Sequence, residues 1–385
     1  MLIILSLPPK TFVGLDLVSF NSSPNFHGIA KIPWGFHFLY TGTDASLSIR
    51  HGRWLNLNST NPIQVLRWNR DGESLQVVDQ NDPGARNAIA AVSDGRGLVD
   101  YAALQSATSE LSAGESKGRD TSEAAAAAAA DDEDGRAEST DWPALTTYVS
   151  SSLLTRILSP DWIISSISSA PSDTETIPGL SHLEASNALD QLPLDLLPVN
   201  LKQTWAGGDI AAHGAGGDRA QGARELLGEL QFCFLMVLTL ANYSCLEQWK
   251  RLLTVFFTCR TALDEAEGYF VQVVRVLRLQ IMHVDDVEGG LFELRDESGS
   301  AWLRTLWARF RAVVDDVDKD QRDSLRREVD GLERLFEEKY GWQSERDTLR
   351  RGMFELEDGE RVEVTMHGVD EDEETGEYAP VIVET

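Results

Sequence analysis

The chain has 385 residues, 42% of them hydrophobic, which is enough for two domains of ordinary size and excludes a chain that is disordered throughout. Lys and Arg number 34 against 62 Asp and Glu, which gives a formal net charge of −28. An acidic surface repels phosphate groups, so direct binding to nucleic acid is not expected, whereas docking on a basic protein partner is.

The cysteines and the apolar runs exclude several further classes of protein. Three cysteines lie within one apolar region and form no CxxC pair, which argues against a disulfide framework or a zinc ribbon and favours a reducing compartment. The start MLIILSLPPK has neither the basic segment nor the apolar length of a signal peptide, and it predicts a strand that ends at Pro8-Pro9. The longest apolar run, at 230–242, is too short to cross a bilayer, so it predicts a buried helix and no membrane partner.

Residues 1–80 contain short runs of β-branched and aromatic residues separated by Gly, Pro, Asn and Asp, which is typical of closely spaced strands. Within NFHGIAKIPWGFHFLY, Pro33 and Gly35 predict a turn with a strand on either side. The resulting hairpin carries His27 and His37. We therefore expect an antiparallel, sandwich-like β-domain.

The composition changes abruptly from residue 81 to 140, where Gly, Ala, Ser and Asp dominate and the segment ends in SEAAAAAAADDEDGR. The alanine run favours a transient helix, but it has nothing apolar to bury, so 81–140 is predicted to be a disordered, low-complexity insertion. The connector at 171–223 includes the glycine-rich run GGDIAAHGAGGDR, which lacks the GK[ST] of a P-loop and predicts a flexible linker.

Between these two segments the sequence predicts helices. Asp141 is the expected N-cap of a helix that has a proline in its first turn and runs to about Ser159. Pro160 breaks this helix, and Asp161 is the expected start of a second one.

From Arg224 onward, apolar residues recur at intervals of three and four, which predicts hydrophobic helices packed as an all-α domain over 224–345. The tail at 346–385 is strongly acidic and closes with YAPVIVET, a strand-like run that is expected to pair with a sheet edge in this chain or in a partner. The predicted fold class is therefore α+β with two domains. An antiparallel β-rich domain at 1–170, with a helical end at 142–169, precedes the all-α domain.

Candidate enzyme chemistry rests on histidine and cysteine. His27 and His37 would hold a metal across the turn with a distant carboxylate, but histidines on a sheet are more often structural, and no HExxH pattern occurs. Cys233, Cys245 and Cys259 lie in apolar helical surroundings that raise a thiol pKa and make the thiol inert. No catalytic residue, metal or cofactor is expected, while a metal-dependent or cysteine hydrolase and a generic helical adaptor remain the alternatives.

Ser244 begins an S-x-x-E pattern with Glu247 and has two interpretations. As a capping box, Ser244 accepts a hydrogen bond from the Glu247 amide while the Glu247 side chain reaches back to the serine N–H. As a regulatory site, Ser244 precedes acid in the pattern that acid-directed kinases accept, and a phosphate there would crowd a docked partner. The cap is favoured, and the two interpretations can coexist.

Two long segments resemble one protein family. TFVGLDLVSFNSSPNFHGIAKIPWGFHFLY, at 11–40, is similar to a G-[IL]-D strand followed by an F-x-G-[IV]-x-x-I-P-x-G-x-H-[FV] hairpin. LLGELQFCFLMVLTLANYSCLEQWKRLL, at 226–253, is similar to a GELQFAF helix, an asparagine-tyrosine turn and a [EQ]-x-W-[KH] helix. Together with the ending EKYGWQSE…GEYAPVIVET, these motifs resemble the Aar-two family, the cistron-splicing factors that act in U-five snRNP assembly.

The resemblance implies a non-catalytic assembly chaperone. Members of the family bind pre-mRNA-processing factor eight through its RNase H-like and Jab/MPN-like domains in the cytoplasm. They hold off the helicase of the mature particle and leave after nuclear import. The resemblance thus implies a location in cytoplasm and nucleus, and a β-rich domain followed by a helical one.

The resemblance also assigns roles to particular positions of this chain. Partner binding by strand addition carries over onto the C-terminal residues Tyr378, Val381, Ile382 and Val383. A release switch controlled by phosphorylation carries over onto Ser244.

Trp34, at the tip of the predicted turn, is an additional candidate for an exposed partner contact. The sequence departs from the family pattern in the insertion at 81–140, the glycine-rich linker at 203–223 and the acidic extension at 346–377. The extension changes how far the terminal strand reaches, and its most acidic part, 355–377, is suited to mimic RNA on a basic splicing protein.

Overall fold

The expected α+β class is confirmed by the computed structural model, because two β-sheets occupy the N-terminal part of the chain and helices follow. The chain divides into one unit of Met1–Phe256 and Arg275–Leu291 and another of Phe257–Val274 and Phe292–Thr385. The structure describes residues 1–43, 49–92, 97–112, 141–170, 193–197, 219–259, 262–263, 266–284, 292, 297–315, 323–342, 350–355 and 361–366.

The first sheet has five strands, in the spatial order β8 (Ser74–Val77), β7 (Gln64–Asn69), β1 (Leu2–Leu5), β4 (Gly28–Ala30) and β9 (Leu98–Asp100). β1 is parallel to β7, and β4 is parallel to β9, while the other two pairs are antiparallel. The expected antiparallel pairing therefore holds for two of the four strand pairs in this sheet, and the other two pairs are parallel. The chain forms most of a second sheet between β1 and β7, so that β7 returns beside β1 in the same direction.

The second sheet is antiparallel throughout, in the order β10 (Ile163–Ser165), β6 (His51–Leu57), β5 (Gly35–Gly42), β2 (Phe12–Leu15) and β3 (Val18–Asn21). The predicted hairpin around Pro33 is wrong, because β4 belongs to the first sheet and β5 to the second. Ile32, in the connection, is buried in the core that both sheets share. A turn signal shows where a strand ends, but the partner of the next strand is decided by tertiary packing.

Helix α1 (Pro83–Ala91) covers the face of the first sheet that points away from the second sheet. The helix begins at Asp82, whose carboxylate accepts hydrogen bonds from the N–H groups of Gly84 and Ala85 at 2.8 and 3.2 Å. The buried Ala85 side chain faces the sheet. The sheet is therefore packed on both faces.

Helix α2 (Tyr101–Ser112) follows β9 directly. The disordered insertion predicted at 81–140 is wrong for the part that the structure describes, because both α1 and α2 lie within it. Tyr101 and Leu104 are buried in the core between the two sheets, so the segment does contribute apolar surface to a core. The average composition of the segment 81–140 does not reveal these two buried side chains. The rest of the predicted insertion, 93–96 and 113–140, lies outside the described residues.

The face of the second sheet that points away from the first packs against α3 (Trp142–Leu145) and α5 (Arg219–Leu240). The ring centroid of Trp54, on β6, lies 6.0 Å from that of Trp142 and 6.2 Å from that of Phe232. Helix α4 (Ser151–Ile157) lies between α3 and α5 along the chain, and α6 (Tyr243–Thr258) and α7 (Glu267–His283) follow α5. An aromatic cluster thus joins the second sheet to α5.

The single helix predicted from Asp141 is instead two short helices, α3 and α4. The Asp141 side chain makes no cap hydrogen bond, whereas Ser150 Oγ accepts one from the Leu153 N–H at 3.2 Å and starts α4. The second helix expected from Asp161 is also wrong. Trp162 has a φ of 52°, which a right-handed helix does not allow, and the chain continues as strand β10.

In the second unit, α8 (Glu297–Asp315) packs on α9 (Asp323–Tyr340). The ring centroid of Trp307, on α8, lies 5.5 Å from that of Phe257 and 5.7 Å from that of Phe336. These contacts agree with the helical character predicted for this stretch.

The tail predicted from residue 346 contains a β-hairpin. Strands β11 (Arg350–Glu355) and β12 (Arg361–Met366) pair antiparallel, with Gly352 opposite Val364. Both strands lie within the acidic extension predicted at 346–377. The end of the tail, 367–385, lies outside the described residues.

Replacing Phe232 by alanine is expected to lower the free energy of unfolding by about 3–5 kcal/mol, because it removes a fully buried ring from the Trp54 stack and leaves a cavity. Chemical denaturation followed by tryptophan fluorescence measures this change. The control Val77→Ala, at an exposed side chain, is expected to change it by about 0.5 kcal/mol or less. If Phe232→Ala lowered the free energy of unfolding as little as the control does, the stacked rings would not contribute to stability as expected.

Candidate protein-interaction site

Trp34 lies on the loop between β4 and β5. Its side chain is 64% exposed, the largest exposed fraction among the large apolar side chains of the described residues. Ile32, two residues earlier, is buried, so apolar packing anchors the loop at its start. An exposed indole on an anchored loop is the kind of group that carries binding energy in protein interfaces.

His37 anchors the same loop at its other end. Its Nδ1 lies 2.6 Å from Asp16 Oδ2, and its Nε2 lies 3.0 Å from the carbonyl oxygen of Pro33. Both partners accept hydrogen bonds, so the protonated imidazole, in which both ring nitrogens donate, is the form that satisfies both contacts. The ring therefore holds the backbone immediately before Trp34, and neither nitrogen is available as a general base.

Asp16 is the centre of this buried polar cluster. Its carboxylate also accepts hydrogen bonds from the Tyr101 hydroxyl at 2.6 Å and from the Phe38 N–H at 2.9 Å. Asp16 has a φ of 60° in the tight turn between β2 and β3, a conformation that aspartate tolerates better than most residues. Gly14, two residues earlier, leaves room for the Tyr40 ring, which a Cβ there would overlap. The sequence G-L-D thus has a packing role and a hydrogen-bonding role.

The charge of His37 reflects a balance of opposing effects on its pKa. Burial lowers the pKa of the imidazole, but the charge of Asp16, its hydrogen bond and the hydrogen bond to Pro33 raise it more. The pKa of His37 is therefore raised above its ordinary value. The prediction that this histidine makes hydrogen bonds within the fold is confirmed.

The structure places His27 and His37 in different environments. The His27 side chain is exposed and immediately precedes β4 in the first sheet, whereas His37 is buried on β5 in the second. Across the described ranges, no group of three His, Cys, Asp or Glu side chains is placed to hold a metal ion. The metal alternative required His27 and His37 to face each other across one hairpin, and the structure places His37 in the second sheet and His27 directly before a strand of the first.

The cysteines agree with their predicted apolar surroundings. Burial and the neighbouring Cys245 thiol raise the pKa of the Cys233 thiol, and both side chains are fully buried. Burial raises the pKa of Cys259 to about 12. Thiols in such surroundings are poor nucleophiles.

The capping box predicted at Ser244 is wrong. Asn242 caps α6 instead, because its Oδ1 accepts a hydrogen bond from the Cys245 N–H at 2.9 Å. Ser244 is the second residue of the helix and is 4% exposed, and its Oγ accepts a long hydrogen bond of 3.4 Å from the Ala170 N–H. The Glu247 carboxylate lies 3.4 Å from a lysine on its own helix. The role of Ser244 as a phosphorylation site stays a prediction, and in this conformation its hydroxyl is covered.

Asn242 has a second role that the sequence reasoning missed. Its Nδ2 donates to the carbonyl oxygens of Ser165 at 3.0 Å and Ser168 at 2.8 Å. The side chain therefore holds the turn between α5 and α6 against the end of β10. An asparagine directly before a helix start was the available signal.

Glu229, in the GELQF motif, is fully buried on α5. Its Oε2 accepts a hydrogen bond from Arg156 Nη2 at 2.6 Å, while its Oε1 accepts from the Leu197 N–H at 2.9 Å and from Gln248 Nε2 at 2.8 Å. These bonds hold the segment 193–197 against α5 and α6 and leave the carboxylate fully satisfied.

Two neighbours of Glu229 hold another segment. Gln231 donates from Nε2 to the Ala144 carbonyl at 2.9 Å and accepts from the Tyr148 N–H at 2.8 Å. A Cβ on Gly228 would lie 2.5 Å from the Tyr148 carbonyl oxygen, so glycine permits the close approach of α5. The motif therefore organises packing, and its signal in the sequence is a set of polar residues inside an apolar helix.

The remaining predicted contacts, Tyr378, Val381, Ile382 and Val383, lie outside the described residues. Their role stays a prediction. Among the helices that the structure describes, none has the length and apolar character needed to cross a membrane.

The His37–Asp16 pair is expected to make stability depend on pH. The folded-state pKa of His37 is raised above the ordinary value of about 6.5, so its stabilisation is present in full below that pH and is lost as pH rises through the folded-state pKa. Urea denaturation at a series of pH values should show this fall for the unaltered chain and a smaller fall for His37→Asn. The control His27→Asn, at an exposed histidine, should keep the original slope. If the free energy of unfolding fell with pH at the same slope in both variants, the result would contradict the proposed pairing of His37 with Asp16.

Two family models match this chain. One, for the AAR2 N-terminal domain, matches residues 1–159, and the other, for the AAR2 C-terminal repeat region, matches residues 185–345. A curated relative, the Protein AAR2 homolog of Mus musculus, is 34% identical over 80 residues, which are 20% of this chain and 21% of the relative. That alignment thus spans about a fifth of the length of the relative. Because the two models together cover most of the sequence, the chain belongs to the AAR2 family, the Aar-two family that its motifs resemble.

Proposed function

We propose that this protein is a non-catalytic assembly chaperone of the U-five snRNP. It binds the RNase H-like and Jab/MPN-like domains of pre-mRNA-processing factor eight in the cytoplasm, blocks premature binding of the helicase, and leaves in the nucleus. Membership of the AAR2 family supports a splicing-related role. The observation that carries the proposal is the pair of family matches, which extend over both the β-rich and the helical parts of the chain.

The geometry of the candidate catalytic groups supports a role without catalysis. Both ring nitrogens of His37 are occupied, by Asp16 and by the Pro33 carbonyl. The Cys233 thiol is buried and its pKa is raised. Groups in these states neither accept a proton from a substrate nor attack one.

The Trp34 loop supports a role in protein binding. The buried Ile32 on one side and the His37 hydrogen bond to Pro33 on the other hold the loop in place before any partner arrives. A contact that is already ordered loses less conformational entropy on binding. The net charge of −28 favours a basic partner surface and accelerates the encounter with it.

Replacing Trp34 by alanine is expected to weaken binding to purified pre-mRNA-processing factor eight by about 2 kcal/mol or more, which is about 30-fold in Kd. The indole is largely exposed, so the thermal midpoint of the free protein should stay unchanged. The matched variant Trp34→Phe keeps an aromatic ring and should retain most of the affinity. If calorimetry gave the same Kd for Trp34→Ala and the unaltered chain, Trp34 would not contribute to the interface.

Removing residues 378–385 is expected to abolish recovery of pre-mRNA-processing factor eight when the tagged chain is used to capture proteins from a lysate. The deletion removes Tyr378, Val381, Ile382 and Val383, the residues proposed to add a strand to the partner. A chain shortened within 115–138 instead is the control and should recover the partner normally. Failure of the full chain to recover this protein would contradict the proposed function itself.

A further inference from the structure

The edge of the first sheet at β8 differs from the edges of the second sheet. At β10, the Ser165 N–H donates to Ser168 Oγ at 3.0 Å, and the Ser165 carbonyl accepts from Asn242 at 3.0 Å. At β3, helix α2 lies against the strand. β8 pairs with β7 on one side only, and among the described residues no backbone hydrogen bond from another segment reaches Leu75 or Val77.

The register between β7 and β8 shows which backbone groups face outward. The Val78 N–H donates to the Val65 carbonyl at 2.9 Å, which fixes the alternation of bonded and non-bonded pairs along this antiparallel ladder. Leu75 and Val77 then stand in the non-bonded pairs. Their N–H and C=O groups point away from β7, toward the position that a sixth strand would take.

The side chains of β8 suit an added strand. Leu75 is buried in the core between the sheets, while Val77, the next residue on the same face, is 54% exposed. A strand paired with β8 would place an apolar side chain beside Val77 and extend the core by one row. An exposed apolar residue on an open edge is a feature that proteins usually avoid unless something binds there.

Acidic side chains flank β8 at both ends. Asp71 and Glu73 lie before the strand and Asp79 lies after it, and all three are exposed. Arg70 is exposed in the same turn, while Arg67 of β7 already forms an ion pair with the carboxylate that caps α1. The carboxylates therefore outnumber the cations around this edge, which favours Lys or Arg in whatever binds.

The geometry points to β8 as a docking edge for an extended segment of a basic protein. The segment adds a sixth strand to the first sheet, sets an apolar side chain beside Val77, and places Lys or Arg beside Glu73 and Asp79. Backbone hydrogen bonds to Leu75 and Val77 supply affinity, and the acidic ends select the sign of the charge. A second copy of this chain is disfavoured because each copy carries a formal charge of −28. The inference stands independently of the proposed function.

The test uses the full chain and a fluorescein-labelled peptide, Lys-Thr-Val-Thr-Val-Thr-Lys, with fluorescence anisotropy as the measurement. The peptide should bind, and a version with glutamate in place of both lysines should bind at least about tenfold more weakly. Val77→Pro should weaken binding by about tenfold or more, because it removes an outward N–H and leaves the ladder to β7 intact. Val77→Thr keeps that N–H and the branched shape, and it should bind within about threefold of the unaltered chain.

A second variant keeps the inference testable where Val77→Pro fails to fold. Glu73→Lys combined with Asp79→Lys changes exposed side chains alone and should abolish the preference for the lysine peptide. Equal binding of both peptides to the unaltered chain would overturn the inference. So would peptide binding that appears only after residues 378–385 are removed, since the chain's own end would then occupy the edge. A dimer in sedimentation that Val77→Pro dissociates would likewise overturn it in favour of a second copy.

Discussion

Helix α5 is buried on almost every side, and the first unit has to enclose it. A helix without a solvent face cannot be stabilised by amphipathic packing on one side alone, so separate segments must cover it. Phe232 meets the aromatic rings of the second sheet through Trp54, Gln231 holds the backbone at Tyr148, and Glu229 holds the backbone at Leu197. Each polar side chain on the helix satisfies a backbone group that the enclosure would otherwise leave without a partner. The GELQF motif therefore determines which segments pack against α5.

The buried pair of Asp16 and His37 serves a different purpose. Removing two charges from water costs about as much free energy as their attraction returns, so such a pair is a weak source of net stability. Its geometric effect is large, because the pair joins the β2–β3 turn, the N-terminal end of α2 through Tyr101, and the loop that carries Trp34. Loss of either partner would leave the other charged and buried. The pair thus fixes where Trp34 stands relative to the sheets.

Local patterns in the sequence predicted local structure correctly, whereas contacts between distant residues were not predictable from them. Strand composition in residues 1–80 and the spacing of apolar residues after Arg224 predicted the right elements, because both are properties of short windows. The separation of β4 and β5 into different sheets could not be predicted from a turn signal, since the choice of neighbouring strand depends on distant packing. The cap of α6 was assigned to Ser244, two residues too late, although Asn242 is also a good cap.

The same limit explains why the site was predicted only in part. The exposure of Trp34 follows from its place beside a turn, which is local information. The partners of His37 and Glu229 come from residues far along the chain, at Asp16 and at Arg156 and Leu197, and a single sequence gives no measure of such proximity. The helices α1 and α2 were missed because composition was averaged over a long segment, which does not reveal that two side chains of α2 pack in the core.

Under the proposed function, release of a partner is a different physical problem from its capture. Capture draws on the long-range field of the whole acidic chain, whereas release needs a local change. A phosphate brings a charge of about −1.5 to −2. Ser244 is covered beneath Ala170, so a phosphate fits there only when the α5–α6 turn, which Asn242 holds against the end of β10, moves away. Phosphorylation of Ser244 would therefore stabilise a conformation in which the α5–α6 turn has moved away, and its rate would depend on how often that conformation forms. Such a switch acts on the fold first and on the partner second, so it need not overlap any surface that the partner touches.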